Sequence, residues 1–187
     1  MEGPNTNNLF YASGWIYEIA KGIFLTIAII LVMVAILGTI YVVDGVSMDT
    51  SLKDRQYVLV EKLSYLTGDP HRGDIVVLRF PGDPDKKKYI KRIIGMPGDT
   101  LEIKNGQVYI NNSQINEFYL APDVRTLPDQ KIVVLADEYF VIGDNRDNSN
   151  DSRIWGTCPK NQLIGRAWII FLPTRDFTVI PEVEYNL

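Results

Sequence analysis

Tyr89-Ile90-Lys91-Arg92-Ile93-Ile94-Gly95-Met96-Pro97-Gly98-Asp99 decides how this chain is read. Side chains alternate across a strand, so Tyr89, Lys91 and Ile93 share one face and Ile90, Arg92 and Ile94 the other. Pro97-Gly98-Asp99 ends the run in a turn. Two adjacent cations with few polar neighbours place at least one of them on a covered face or in a cleft. A desolvated lysine loses proton affinity, because burial disfavours its charged form. It can then be neutral near pH 7 and act as a general base. The rival is that both cations snorkel or pair with acids, and the strand alone leaves both readings open.

The same period-two pattern runs outward in both directions. Gln56–Val60, Asp74–Phe80, Lys131–Leu135, Tyr139–Ile142 and Ala167–Leu172 read as strands, with Pro81-Gly82-Asp83-Pro84 and Gly143-Asp144-Asn145 as turns between them. Leu101–Ile110 reads as a hairpin whose Asn105-Gly106 pair suits a type I′ turn. No long amphipathic helical pattern follows residue 44. The expected fold is mainly β, with many short strands and Greek-key or barrel-like closure over residues 44–173. Residues 174–187 are expected to be a tail on the surface.

Before this domain the chain carries no charge from Gly22 to Val43, between Lys21 and Asp44. At 1.5 Å per helical residue the run spans roughly 33 Å, enough for a hydrocarbon core. Trp15, Tyr17 and Tyr41 lie near its ends, where interfacial aromatics belong. A cleaved signal peptide would have a shorter apolar run ending in small-x-small, whereas this one ends in Thr39-Ile40-Tyr41-Val42-Val43. The expectation is a short N-terminal segment, 1–21, then a retained transmembrane helix, 22–43. The basic residues Lys21, Lys53, Arg55 and Lys62 do not by themselves decide its orientation.

Composition narrows the chemistry. Net charge is −4, which offers no global basic footprint for nucleic acid. The single cysteine, Cys158, excludes an intrachain disulfide and a multi-cysteine zinc site. The single histidine, His71, follows Pro70 in a polar turn and reads as a surface residue. Arg72-Gly73-Asp74 reads as the turn before a strand, and Lys86-Lys87-Lys88 as a solvated tip. Asp147-x-Ser149-x-Asp151 starts like a calcium loop but has Ser152 and Cys158 where Gly and Glu are required. Cys158 reads as a small buried filler.

Ser47, in Asp44-Gly45-Val46-Ser47-Met48, is then the candidate nucleophile. A serine hydroxyl is weak until a base takes its proton, and Lys91 is a better candidate base than His71. Ser-Lys pairs are a known variant of the triad. Ser47 lies four residues past the apolar run, so it would act close to a bilayer surface on a membrane-embedded substrate. The loop Gly143–Arg153, dense in Asp, Asn, Ser and Arg, reads as a hydrogen-bonded loop. It could lock Lys91 through a hydroxyl.

These segments, in this order, resemble the boxes of type I signal peptidases, the membrane-anchored Ser-Lys proteases of peptidase family S26. The boxes are Asp44–Met48, Arg72–Val77, Tyr89–Asp99 and Gly143-Asp144-Asn145-Arg146-Asp147-Asn148-Ser149-x-Asp151-Ser152-Arg153. The resemblance implies a membrane-bound serine endopeptidase that removes signal peptides from exported preproteins, cleaving after small residues (Ala-x-Ala). It implies Ser47 as nucleophile and Lys91 as base. Ser149 would orient the lysine, the pairs Asp151–Arg153 and Asp144–Arg92 would brace the site, and the Ser47 N–H would serve the oxyanion. Val43, Met48, Leu52, Val58, Val77, Tyr89 and Ile90 would line the substrate pockets. A small β-subdomain is expected at about 100–130, with the catalytic domain on the extracytoplasmic side of the plasma membrane. No cofactor or metal is implied. Signal peptides, the lipid bilayer and the protein-export translocon are the candidate partners of a monomer.

Two departures stand out. The family usually has x-Pro-Thr-Leu after Ser-Met, but here Asp49-Thr50-Ser51-Leu52 follows. Losing the proline frees φ and restores a donor, and Asp49 would oppose a neutral lysine unless it faces solvent. Gly45 replaces a serine that assists the oxyanion in some members. The changes at Asp49, Thr50 and Ser51 motivate the alternative of a catalytically impaired homologue that binds signal peptides or translocation partners. Regulatory self-cleavage, as in Ser-Lys repressors, lacks the DNA-binding helix pair it would need.

Overall fold

The computed structural model describes residues 6–85 and 87–187, with side chains at 14–32, 38–85 and 87–187. Residues 1–5 of the expected N-terminal segment, and Lys86 of the lysine run, lie outside the described residues. The chain divides into two units, Met1–Thr39 and Ile40–Leu187.

The first unit is one helix, α1, Thr6–Leu37. It begins inside the segment assigned to 1–21 and ends before Val43. Its stretch Gly14–Val32, with mean hydropathy 1.9, is long and apolar enough to cross a membrane. Gly38–Val42 is strand β1 instead of helix. Gly38 is a poor helix residue, and Thr39, Ile40 and Val42 are stiff at χ1 and favour a pleated surface. Length and apolarity alone did not reveal that switch.

The second unit contains two antiparallel sheets. Eleven further strands are β2 Tyr57–Glu61, β3 Ile75–Arg79, β4 Lys88–Gly95, β5 Thr100–Lys104, β6 Gln107–Ile110, β7 Ser113–Gln114, β8 Gln130–Val133, β9 Glu138–Ile142, β10 Cys158–Pro159, β11 Leu163–Leu172 and β12 Thr178–Val179. The larger sheet runs β1-β2-β11-β3-β4-β9-β10, with β12 also on β11; the smaller runs β7-β6-β5-β8. Asn105 and Gly106 have φ of 54° and 82° at the β5–β6 turn, the positive values that turn type requires.

Three apolar clusters hold the sheets. One, with Val43, Met48, Leu52, Val58, Val77 and Ile170, lies under the Ser47 loop. A second joins Ile94, Phe140 and Ile142 of the larger sheet to Leu101, Ile103, Val108 and Ile110 of the smaller. The third gathers Val76, Ile93, Tyr139 and Cys158. Residues 174–187 are mostly exposed, on the surface, but they are pinned to the domain and are not a free tail. β12 pairs with Ile169 and Ile170, Val183 is buried, and Tyr185 packs on the second cluster. Glu182-Val183-Glu184-Tyr185 alternates polar and apolar residues, a strand-like pattern too short to stand out.

β4 lies between β3 and β9. β3 pairs with it from Lys88 to Arg92, whereas β9 pairs only from Arg92 to Gly95. Among the described residues, the β9 side of Lys88–Lys91 is thus an open sheet edge.

Candidate active site

The Ser47 loop is a run of turns anchored by two buried side chains. Met48 and Leu52 are 1% and 0% exposed, and Leu52 N–H donates to Met48 O at 2.8 Å. That leaves Ser47 half-buried and Asp49 exposed. Val43 is clamped by backbone bonds with Arg55 and Gln56, and Gly45 N–H donates to Asp54 Oδ1 at 2.8 Å.

On β4 both cations are buried: Lys91 is 3% exposed and Arg92 2%. Lys91 Nζ lies 2.8 Å from Ser47 Oγ and donates to Ile90 O at 3.0 Å. Burial brings its pKa down to about 8, against the pull of Asp151 and Asp144 and with help from Arg153. Arg92 is spent on structure. It donates to both Asp144 oxygens at 2.9 and 2.7 Å, to Gly73 O at 2.8 Å and to Ser51 Oγ at 2.9 Å. Adjacent cations on opposite faces thus meet opposite fates. Arg92 stays charged because it is paired, and Lys91 has no direct carboxylate partner.

The Gly143–Arg153 loop packs against the Ser47 loop. Asp151 accepts from Gly143 N–H at 2.9 Å and from Arg153 Nε and Nη2 at 2.8 Å each. Burial works against its charge, but Arg153 holds the carboxyl below the usual range. Gly143 is needed for close approach, since a Cβ there would meet Ser47 O at 2.5 Å. Asn145 then fastens the nucleophile loop from outside. Its N–H donates to Ser47 O at 3.1 Å and its Nδ2 to Val46 O at 3.0 Å.

Several expectations need correction. Ser149 does not bond the lysine. Its buried Oγ is tucked over Gly143 and helps hold the Asp151 carboxyl down, while Lys91 bonds atoms of its own strand and of the Ser47 loop. A cleft of about 300 Å³ beside Ser47 and Lys91 is lined by Val43, Met48, Val77, Tyr89 and Ile90. Leu52 and Val58 do not line it. Both are 0% exposed and lie in the cluster behind it. Tyr41, Val46, Asn148 and Asn150 line it instead. Tyr41 was hidden by its assignment to the helix, and the two asparagines by the turn-rich composition of their loop.

The departures after Met48 are now local. Asp49 faces solvent, and Ser51 supplies the hydroxyl that Arg92 takes. Thr50 has φ 141°, which a β-branched residue adopts only under strain, at a typical cost of about 1–3 kcal/mol. Thr50→Gly is expected to raise the unfolding free energy by about 1 kcal/mol in urea titrations, after glycine's own entropy loss. Thr50→Pro, locked near about −65°, is expected to lower it. A stable Thr50→Pro protein would contradict this backbone.

The sequence model of the family described as "Signal peptidase, peptidase S26" matches residues 16–172. The chain is 42% identical over 134 residues to a probable signal peptidase I-2 of Synechocystis sp., covering 68% of this chain and 60% of that protein. It is 40% identical over 164 residues to a signal peptidase I of Bacillus amyloliquefaciens, covering 82% and 86%. A crystal structure of a signal peptidase I from Enterococcus faecalis V583 aligns with 52% of this chain and 96% of that one, at 29% identity and TM-score 0.47.

Proposed function

Because the chain belongs to peptidase family S26, the signal peptidases, and removes signal peptides as they do, we propose that Ser47 and Lys91 perform the cleavage. The observation that carries this is the 2.8 Å contact between Ser47 Oγ and a lysine that is 3% exposed. Neutral Lys91 takes the Ser47 proton, and Oγ attacks the scissile carbonyl carbon. The oxyanion meets the Ser47 N–H, which has no protein partner among the described residues. Protonated Lys91 gives its proton to the leaving amine. Lys91 then deprotonates the water that hydrolyses the acyl-serine.

Substrate binding follows from the cleft and from β4. An extended signal peptide would add to the open edge at Lys88–Lys91, its backbone giving affinity and alternate side chains entering the cleft. Close apolar walls at Val43, Val77 and Ile90 favour small residues, in keeping with Ala-x-Ala. Gly14–Val32 of α1 would cross the plasma membrane once, with the catalytic unit on the extracytoplasmic side, where preproteins emerge. The lipid bilayer and the translocon are the proposed partners, and the working unit is a monomer. An impaired, binding-only protein is less well supported. The residues that motivated it leave the Ser47–Lys91 contact intact.

The base must be neutral to act, so activity tracks the lysine's deprotonation. Cleavage of an Ala-x-Ala preprotein in detergent is expected to rise with pH, to about tenfold per unit well below about pH 8, and to level above it. A profile flat from pH 6 to 9 would exclude Lys91 as the base.

A further inference from the structure

We propose that Tyr119 and Tyr185 are positioning residues for the Ser47–Lys91 dyad, acting through Arg92. This deepens the protease reading and rests on it. Neither tyrosine lies in the motifs that identify the family. Tyr119 follows the smaller sheet's β7, and Tyr185 lies in the last, packed segment.

Arg92 uses its edge on Asp144, Gly73 and Ser51, which leaves its two faces. One face is covered by Tyr119, whose ring centroid is 4.0 Å from the guanidinium carbon. The Tyr119 ring is in turn held at its hydroxyl. That group donates to Glu117 Oε1 at 2.6 Å and lies 3.1 Å from Tyr185 Oη. Glu117 receives Arg146 Nη1 and Nη2 at 2.9 and 2.5 Å. Arg146 Nε donates to Gly143 O at 3.2 Å, on the glycine that touches the Ser47 backbone. Tyr185 reaches Arg92 by a second route. Its ring lies against Gly73, whose carbonyl Arg92 binds. Both phenols stay neutral, because burial pushes the Tyr119 hydroxyl far up and that of Tyr185 to about 12.

An arginine face over an aromatic ring in a dry site is held both electrostatically and sterically. Without the ring, Arg92 can tilt and admit water, and its grip on Asp144 and Ser51 loosens. Asp144 is one of the charges acting on Lys91, with Asp151 and Arg153. Water entry and a less compensated Asp144 both favour the protonated lysine.

The test uses the full chain in detergent: wild type, Tyr119→Phe, Tyr119→Leu and Tyr185→Leu. Each is assayed for preprotein cleavage and for pH-dependent labelling of Lys91 by an amine-reactive reagent, read by mass spectrometry. Tyr119→Leu is expected to lower kcat about tenfold with KM within about twofold. Its labelling midpoint should move above the wild-type value of about 8. Tyr119→Phe keeps the ring but loses the hydroxyl that anchors it, so it and Tyr185→Leu should fall between wild type and Tyr119→Leu in both. Labelling needs no substrate. A wild type that labels as expected but does not cleave therefore fails the protease reading, not this one. Wild-type kcat and labelling in Tyr119→Leu overturn the proposal, as does equal damage from Phe and Leu. If Tyr119→Leu does not fold, wild-type behaviour of Tyr185→Leu in both readouts overturns it.

Discussion

Lys91→Met is expected to lower preprotein cleavage by about 10,000-fold or more while leaving the protein folded, because it removes the base and little else. Ser47→Ala should cost about a million-fold, and the double variant scarcely more, since groups that act as one unit are not additive. Stability should hold or rise in Lys91→Met. The lysine is buried without a carboxylate bonded to its Nζ, so its charge is a burden on the fold rather than a support. Lys91→Arg should not rescue, because a guanidinium keeps its proton throughout the working range. The assay is single-turnover cleavage of an Ala-x-Ala preprotein, with urea unfolding alongside. Cleavage by Lys91→Met within tenfold of wild type would remove the lysine from the mechanism.

Asp144→Ala is expected to be the most destabilising single change near the site. The Arg92–Asp144 pair has side chains 3% and 0% exposed and is held by two short bonds. Removing one partner strands a buried charge, which typically costs about 3–5 kcal/mol. That is a large share of the roughly 5–15 kcal/mol by which domains are stable. Arg92→Met combined with Asp144→Leu should cost much less than the sum of the single changes, since no charge is left unpaired. Activity should still fall in the double variant, because Ser51 and the Gly143 loop lose the arginine that ties them together. Additive urea midpoints across this cycle would mean that the pair does not act as a unit.

Strand alternation around Lys91 and the turn residues beside it were enough to read a mainly β domain. The order of the boxes was enough to pair Ser47 with Lys91, which the structure brings to 2.8 Å. The pairs Arg92–Asp144 and Asp151–Arg153 were legible only through the resemblance, since nothing in charge or spacing joins Arg92 to an acid 52 residues away. All of these rest on local pattern, residue type or long motifs, which survive in one dimension. The end of α1 at Leu37 was not legible, because apolar content alone does not separate a helix from the β-branched strand after it. Whether Leu52 or Val58 reached the cleft was not legible either, since core and pocket residues share one composition. Nor did the sequence show that Ser149 turns toward Gly143 or that Asn145 holds the Ser47 backbone. Those depend on how two loops, distant in the chain, meet. The lysine's lowered pKa is likewise a property of the fold, because desolvation is set by what packs around a side chain. Sequence by itself determined the family to which this protein belongs and the mainly β class of its domain. Only the tertiary structure decided which groups are dry, which are paired and which line the cleft, because burial and long-range contacts exist only once the sheets close.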